Sequence, residues 1–181
     1  MKTESTALPD VLLLTPTFYR DDRGAFAETY NQRRFAEAGL PTNWVQDNFS
    51  ISKKDVLRGI HYQITQPQAK LVRVTHGAVL DVAVDLRRSS PAFGRHVAVE
   101  LSEENGRMLW IPEGFGHAFL VLSETAGFTY KVTDYYSPQG ERTIRWNDPE
   151  LAIPWPLLGR TPIVSGKDGQ GATLREAELF A

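Results

Sequence analysis

The chain has 181 residues, of which 41% are apolar and 23% charged, with a formal net charge of −2 and no cysteine. That length suffices for one domain with a sizeable core. The charge balance leaves no basic footprint for nucleic acid, and the missing cysteines exclude disulfides, thiolate nucleophiles and zinc–thiolate sites.

The first residues, "MKTESTALPDVLLLTP", carry one lysine and a short apolar run broken by prolines. They lack the apolar centre of a signal peptide, and no later stretch is long enough to span a bilayer. A cytoplasmic protein without a membrane partner is expected. Next, "YNQRRFAEAGLP" predicts a short helix, with Asn31 as N-cap, Gly39 just past the end and Pro41 as a stop.

From there the pattern has period 2. In "QDNFSIS", Gln46, Asn48, Ser50 and Ser52 share one face, and Phe49 and Ile51 the other. "GAVLDVAVDLR" places Leu80, Val82, Val84 and Leu86 on one face, opposite Asp81 and Asp85. "RHVAVEL" groups Val97, Val99 and Leu101. "GFTYKVTDYYS" aligns Phe128, Tyr130, Val132, Asp134 and Tyr136. Turn signals such as "SSPAFG", "SEENG", "PEGFG", "SETAG" and "SPQG" separate these runs. Many short strands at this spacing predict an all-β antiparallel sandwich or barrel. The final stretch, "GATLREAELF", predicts a second helix. No repeat or linker divides the chain. A single domain over residues 1–181 is expected, its core at about 40–145, with the N-terminal segment and the C-terminal loop and helix packed on it.

A barrel open at one mouth lines its interior with polar groups for a ligand, whereas a sealed core does not. The polar face of "QDNFSIS" fits an open barrel or a solvent-facing strand. "LRGIHYQ" reads as a buried strand yet carries Arg58, His61 and Gln63. In a regular strand His61 and Gln63 share a face and Arg58 points away; a bulge at Gly59 would re-aim Arg58. His61 is either a satisfied core histidine or a working one. General-base work needs an orienting carboxylate, which can be distant in sequence. "VSGKDGQ" offers Asp168 after Lys167, although "GKDG" taken alone reads as a surface turn.

"PEGFGHAF" resembles the second metal-binding motif of cupins, with His117 at the ligand position. The first cupin motif is not matched: His61-Tyr62-Gln63 replaces His-x-His, and "ITQPQAK" supplies no carboxylate. A jelly-roll barrel without a metal is the expectation.

Six long segments occur in order: "DDRGAFAETYN", "VQDNFSISKKDVLRGIHYQ", "QAKLVRVTHGAVLDVAVDLRRSSPAFG", "LWIPEGFGHAF", "YKVTDYYSP" and "SGKD". Through them, from about Pro9 to the end, the chain resembles the dTDP-4-dehydrorhamnose 3,5-epimerase family of cupin-type sugar nucleotide epimerases. "GFGHAF" stands where "GFAHGF" is commoner, and no counterpart is assigned to the tail before Pro9. The resemblance implies a homodimeric jelly roll that needs no cofactor or metal. The implied reaction inverts C3 and C5 of dTDP-4-dehydro-6-deoxy-D-glucose, giving dTDP-4-dehydro-L-rhamnose for dTDP-L-rhamnose biosynthesis. By the resemblance, His61 is the base, Asp168 its orienting partner, Tyr130 the acid on the other face, and Lys70 the cation near the ketone oxygen. Tyr136 aligns with a tyrosine that stacks on thymine. If one strand carries both tyrosines, six residues separate them by roughly 20 Å, about the reach of an extended nucleotide sugar. Arg23 and Arg58 are implied at the diphosphate, with Arg23 reaching the partner subunit, and Lys167 is implied near the substrate. Glu28, Gln46, Asp47, Asn48, His117 and Glu141 match further substrate contacts. The residues leave two other functions open: an epimerase acting on one carbon only, and a binding-only or metal-holding barrel.

Overall fold

The computed structural model describes residues 1–181. In chain order it contains β1 (Lys2–Ser5), β2 (Leu12–Thr15), β3 (Phe18–Asp21), β4 (Gly24–Ala27), α1 (Gln32–Glu37), β5 (Gln46–Lys53), β6 (Leu57–Gln63), β7 (Lys70–His76), β8 (Ala78–Asp85), β9 (His96–Ser102), β10 (Met108–Ile111), β11 (Phe115–Val121), β12 (Thr125–Val132), β13 (Glu141–Thr143) and α2 (Gly166–Gly169). A six-stranded sheet, ordered β1-β2-β10-β7-β12-β5, faces a five-stranded sheet, ordered β13-β6-β11-β8-β9, and every ladder is antiparallel. This is the expected jelly-roll architecture. The β3–β4 hairpin belongs to neither sheet.

The main core fills the space between the sheets. Val72, Val74, Leu109, Ile111 and Phe128 from one sheet meet Val79, Ala83, Val97, Leu101, Phe115 and Phe119 from the other. Burying each such side chain stabilises the fold by about 1.5–3 kcal/mol. Val97 and Leu101 face this core as their period predicts. β8 behaves differently, because both of its faces are covered. Val82, Val84 and Leu86 point outward beneath Leu151, Ile153, Leu174 and Ala177 of the C-terminal segment. Asp81 and Asp85 sit on the inner face, fully buried.

Helix α1 follows the prediction. The Asn31 side chain accepts a hydrogen bond from the Arg34 N–H at 3.2 Å, and Gly39 has φ +72° past the end. Its Phe35 packs on Leu14, Leu71, Met108 and Trp110 on the outside of the six-stranded sheet. Two expectations are corrected. The N-terminal segment does not merely pack on the barrel, since β1 and β2 extend its sheet. The predicted second helix does not form. Asp148 accepts from the Leu174 N–H at 2.9 Å, one turn closes between Thr173 and Ala177, and Ala172 and Phe180 make isolated bridges to Ile144 and Arg87. This turn, tied at both ends by the bridges, lets Leu174 and Ala177 cover the five-stranded sheet.

Candidate active site

β6 supplies the centre of the site. It pairs His61 with His117 and Arg58 with Phe119 of β11, so three steps on β6 oppose two on its partner. The extra residue is a β-bulge at Gly59, where φ is +119°, a value that favours glycine. A Cβ at Gly59 would also lie 2.5 Å from both the Ala118 Cβ and the His117 carbonyl oxygen. The bulge turns Arg58 and His61 toward the same interior. There Arg58 Nε donates to the Ser52 hydroxyl at 3.1 Å.

Both residues line a cavity of about 290 Å³ with Asn48, Ser50, Lys70, His117, Phe119, Phe128 and Tyr130. The polar face of β5 therefore points into the barrel, while Phe49 and Ile51 are exposed on the other face, Phe49 also being among the side chains that line the cavity. An adjoining hollow of about 90 Å³ shares His61, Lys70 and Tyr130 and adds Gln63, Gln68, Tyr136 and Glu141. His61 rises from the five-stranded sheet and Tyr130 from the six-stranded one, so the two face each other across the cavity. A separate hollow of about 300 Å³ surrounds Asp85 and Arg87, but those charges already satisfy each other in a bidentate pair.

His61 Nε2 lies 2.6 Å from Asp168 Oδ1. Asp168 sits in α2, whose N-cap Ser165 accepts from the Asp168 N–H at 3.1 Å. The expected surface turn is thus a capped helical turn with a buried carboxylate. Burial alone raises the Asp168 pKa. The His61 hydrogen bond and charge, the Gly59 N–H and Ser165 outweigh it, leaving the carboxyl below its ordinary value.

Lys70 is pushed down to about 8 by burial, against the opposing pull of Asp81 and Glu141. Its ammonium lies 5.8 Å from the centre of the Tyr130 ring. Burial raises the Tyr130 phenol; nearby Arg58 lowers it and Glu141 raises it further. His117 stacks on Phe128 at 5.9 Å, and its Nε2 lies 3.0 Å from Asp81 Oδ2. Burial lowers the His117 pKa, opposed by Asp81. The other Asp81 oxygen is buried without a partner.

The Tyr136 hydroxyl donates to Glu141 Oε2 at 2.8 Å, and the other Glu141 oxygen pairs with Lys167. Burial raises the Glu141 pKa, but Lys167 and Tyr136 together bring it below its ordinary value. Gln46 donates to the Asn48 side chain at 2.8 Å.

Gln46 and Lys167 line neither hollow and reach the site through Asn48 and Glu141, and three further sequence-based assignments lie away from it. Asp47 points outward and pairs with Lys131 at 3.0 Å, because its strand neighbours Gln46 and Asn48 occupy the inner face. Arg23 pairs with Asp21 at 2.6 Å in the exposed hairpin. Glu28 pairs with Arg34 at 2.9 Å and accepts from the Asn31 amide. The strand placement expected of Tyr136 is corrected. β12 ends at Val132, so Tyr130 and Tyr136 do not share a strand.

Sequence reasoning missed Asp81 and Ser52 as partners of site residues. The signal for Asp81 was an acid alternating with valines on a strand whose other face is also apolar. No group of three or more His, Cys, Asp or Glu side chains is placed to hold a metal ion, and no helix is long and apolar enough to cross a membrane.

The model of the dTDP-4-dehydrorhamnose 3,5-epimerase family matches residues 5–176. A dTDP-4-dehydrorhamnose 3,5-epimerase of Pseudomonas aeruginosa is 57% identical over 99% of both chains. The enzyme of the same description from Salmonella typhimurium is 53% identical over 96% of both. A solved dTDP-6-deoxy-D-glucose-3,5-epimerase of Legionella pneumophila, in complex with dTDP-4-keto-L-rhamnose, superposes with a TM-score of 0.94. It is 48% identical, with 98% of this chain and 94% of that one covered.

Proposed function

The chain belongs to the dTDP-4-dehydrorhamnose 3,5-epimerase family, and from that premise we propose that it inverts C3 and C5 of dTDP-4-dehydro-6-deoxy-D-glucose to give dTDP-4-dehydro-L-rhamnose, supplying dTDP-L-rhamnose biosynthesis. One observation carries the chemistry: an imidazole–carboxylate pair and a half-buried phenol face each other across one cavity, with an ammonium group beside the phenol.

Protons on C3 and C5 are acidic because each carbon adjoins the C4 ketone. His61 removes one, and its electron pair moves into an enolate. Asp168, held ionised, orients the imidazole and stabilises its charged form. Lys70 stabilises the oxyanion with a charge that burial makes effective. Tyr130 returns a proton from the opposite face, and the ketone re-forms with inverted configuration. A half-buried phenol with a raised pKa holds its proton until that step.

Tyr136, on the cavity rim, stacks on the thymine. Arg58, which lines the cavity, meets the diphosphate, and Lys167, paired with the Glu141 of the adjoining hollow, lies near the substrate. Gln46, Asn48, His117 and Glu141 complete the substrate contacts.

The working unit is a homodimer. Tyr19 and Phe26 of the hairpin and Phe49 and Ile51 of β5 are large apolar side chains left in water, and β5 pairs on one edge only. A second copy that covers these faces brings Arg23, and Glu28 at the base of the same hairpin, to its neighbour's diphosphate site. The cytoplasm is the place of work, because a charged nucleotide sugar does not cross a bilayer unaided.

The test is proton NMR of the 4-ketosugar nucleotide with enzyme in deuterated water. Exchange at both C3 and C5, with L-rhamnose configuration after dehydrogenase-type reduction of the 4-keto group, is expected. Exchange at one carbon only makes this a single-site epimerase; binding without exchange removes the catalytic reading.

A further inference from the structure

Thr133–Ser137 carries Tyr136 yet belongs to no strand: β12 ends at Val132 and β13 begins at Glu141. Backbone groups that leave a sheet need partners elsewhere. Here the Thr133 and Tyr135 N–H groups go to the Ala69 carbonyl and the Asp134 carboxylate, and three glutamine side chains supply four further partners. Gln68 Nε2 donates to the Asp134 carbonyl at 2.7 Å. Gln46 Oε1 accepts from the Tyr136 N–H at 3.3 Å. Gln63 works at both ends of its amide. Its Nε2 donates to the Gln66 carbonyl at 2.7 Å and the Tyr135 carbonyl at 3.2 Å, and its Oε1 accepts from the Ser137 N–H at 2.8 Å. Gln63 thus grips the chain immediately before and immediately after Tyr136.

The Tyr136 residue itself is 53% exposed, so core packing does not fix its ring. Gln63 is buried, and in the β6–β13 register it stands opposite Glu141, which receives the Tyr136 hydroxyl. The tyrosine is therefore held by its backbone through one residue of this pair and by its hydroxyl through the other.

We infer that Gln63 is the positioning residue of the nucleobase platform: it sets Tyr136 in place before the thymine arrives. This rests on the thymine-stacking role proposed above for Tyr136. The chemistry asks for a primary amide, because two carbonyls need donors and one N–H needs an acceptor. A carboxylate would satisfy the N–H and turn its other oxygen toward carbonyls. A thioether of the same length would satisfy none of the three. Without the grip, the segment must be ordered at the moment of binding, which weakens affinity but leaves the His61 chemistry intact once substrate is bound.

The test uses the full-length protein with Gln63→Met, Gln63→Glu and Tyr136→Ala, read by calorimetric binding of dTDP and by steady-state kinetics. Each Gln63 variant should weaken dTDP binding and raise KM about tenfold, the loss expected for one to two hydrogen bonds. Their kcat should stay within about twofold, the split of a uniform binding effect. In the Tyr136→Ala background, Gln63→Met should add nothing. Fully additive losses, or a fall in kcat as large as the rise in KM, overturn the inference. If Gln63→Met does not fold, Gln68→Met decides: it frees one bond of the same segment and should weaken binding about threefold, again silently when Tyr136 is absent. Unchanged dTDP binding by Tyr136→Ala would remove the platform role itself. A Tyr136→Ala loss combined with a neutral Gln63→Met would remove the inference about Gln63 alone.

Discussion

His61 and Asp168 meet at 2.6 Å although 107 residues separate them. Two local devices make the contact: the Gly59 bulge aims the imidazole, and the Ser165 cap points Asp168 inward. Asp168→Asn keeps the shape and removes the charge. Deuterium incorporation at C3 and C5 should fall by a factor on the order of 10²–10⁴, as when a comparable imidazole loses its orienting carboxylate. Binding of dTDP should change little. His61→Ala should abolish incorporation with the fold intact, as read by circular dichroism. The lowered pKa of Asp168 also has a sign in stability. A depressed carboxylate stabilises the fold above its unfolded pKa and loses that contribution as pH falls through its folded value. Wild type and Asp168→Asn should therefore melt alike only well below pH 3.8, the ordinary value.

Lys70 should set the alkaline limit of activity. Its ammonium is lost as pH rises through about 8, and the enolate then loses its cation. The Tyr130 phenol lies above its ordinary value of 10.0 and cannot produce that limb. Asp81 is one of the charges that raise Lys70. Asp81→Asn should therefore move the alkaline limb of the kcat profile to lower pH, in addition to any loss through His117. A limb that stays in place would take Lys70 out of the oxyanion role.

These two networks show which parts of the site were legible in the sequence. The polar face of β5 and the bulge at Gly59 follow from period-2 alternation and from a glycine between two groups that need one interior. Helix α1 follows from Asn31 and Gly39. What failed is non-local. Alternation set Asp81 and Asp85 opposite the apolar face of β8, but it could not show that the C-terminal segment covers that apolar face and leaves the acids inside. "GATLREAELF" has a helical pattern, yet its apolar groups are needed along the sheet. Tyr136 keeps strand parity with Tyr130 but leaves the strand, because side-chain amides replace the ladder. Such substitutions of partner depend on residues far away in sequence, and no local window contains them.

Gly59→Ala tests the bulge directly. The new Cβ would meet the Ala118 Cβ and the His117 carbonyl at 2.5 Å, where φ is already +119°. Backbone on one side and a buried methyl on the other leave no flexible group to yield. A loss of about 2–4 kcal/mol is expected, which lowers Tm by about 5–15 °C in a chain of this size. Activity should fall further than stability explains, because Arg58 and His61 are aimed by the same bulge. A melt within a degree of wild type would show that the bulge relaxes freely.

Arg23 carries the last prediction. It stands in an exposed hairpin with Asp21 as its partner, away from its own cavity. If it serves a neighbour, two defects in different chains must complement each other. Arg23→Ala should raise KM strongly, and His61→Ala should abolish turnover. Mixed, unfolded and refolded together, half of the dimers carry one of each chain. In those dimers one site receives both substitutions and the other receives neither. About one quarter of all sites are then intact, and that fraction of wild-type turnover should return at low substrate concentration. Sedimentation must show a dimer throughout, and Ile51→Asp, which places a charge on the exposed apolar face of β5, should shift it toward monomer and weaken turnover in parallel. A mixture with only the residual activity of its parents would place Arg23 outside the neighbour's site and leave the diphosphate to Arg58 of the same chain.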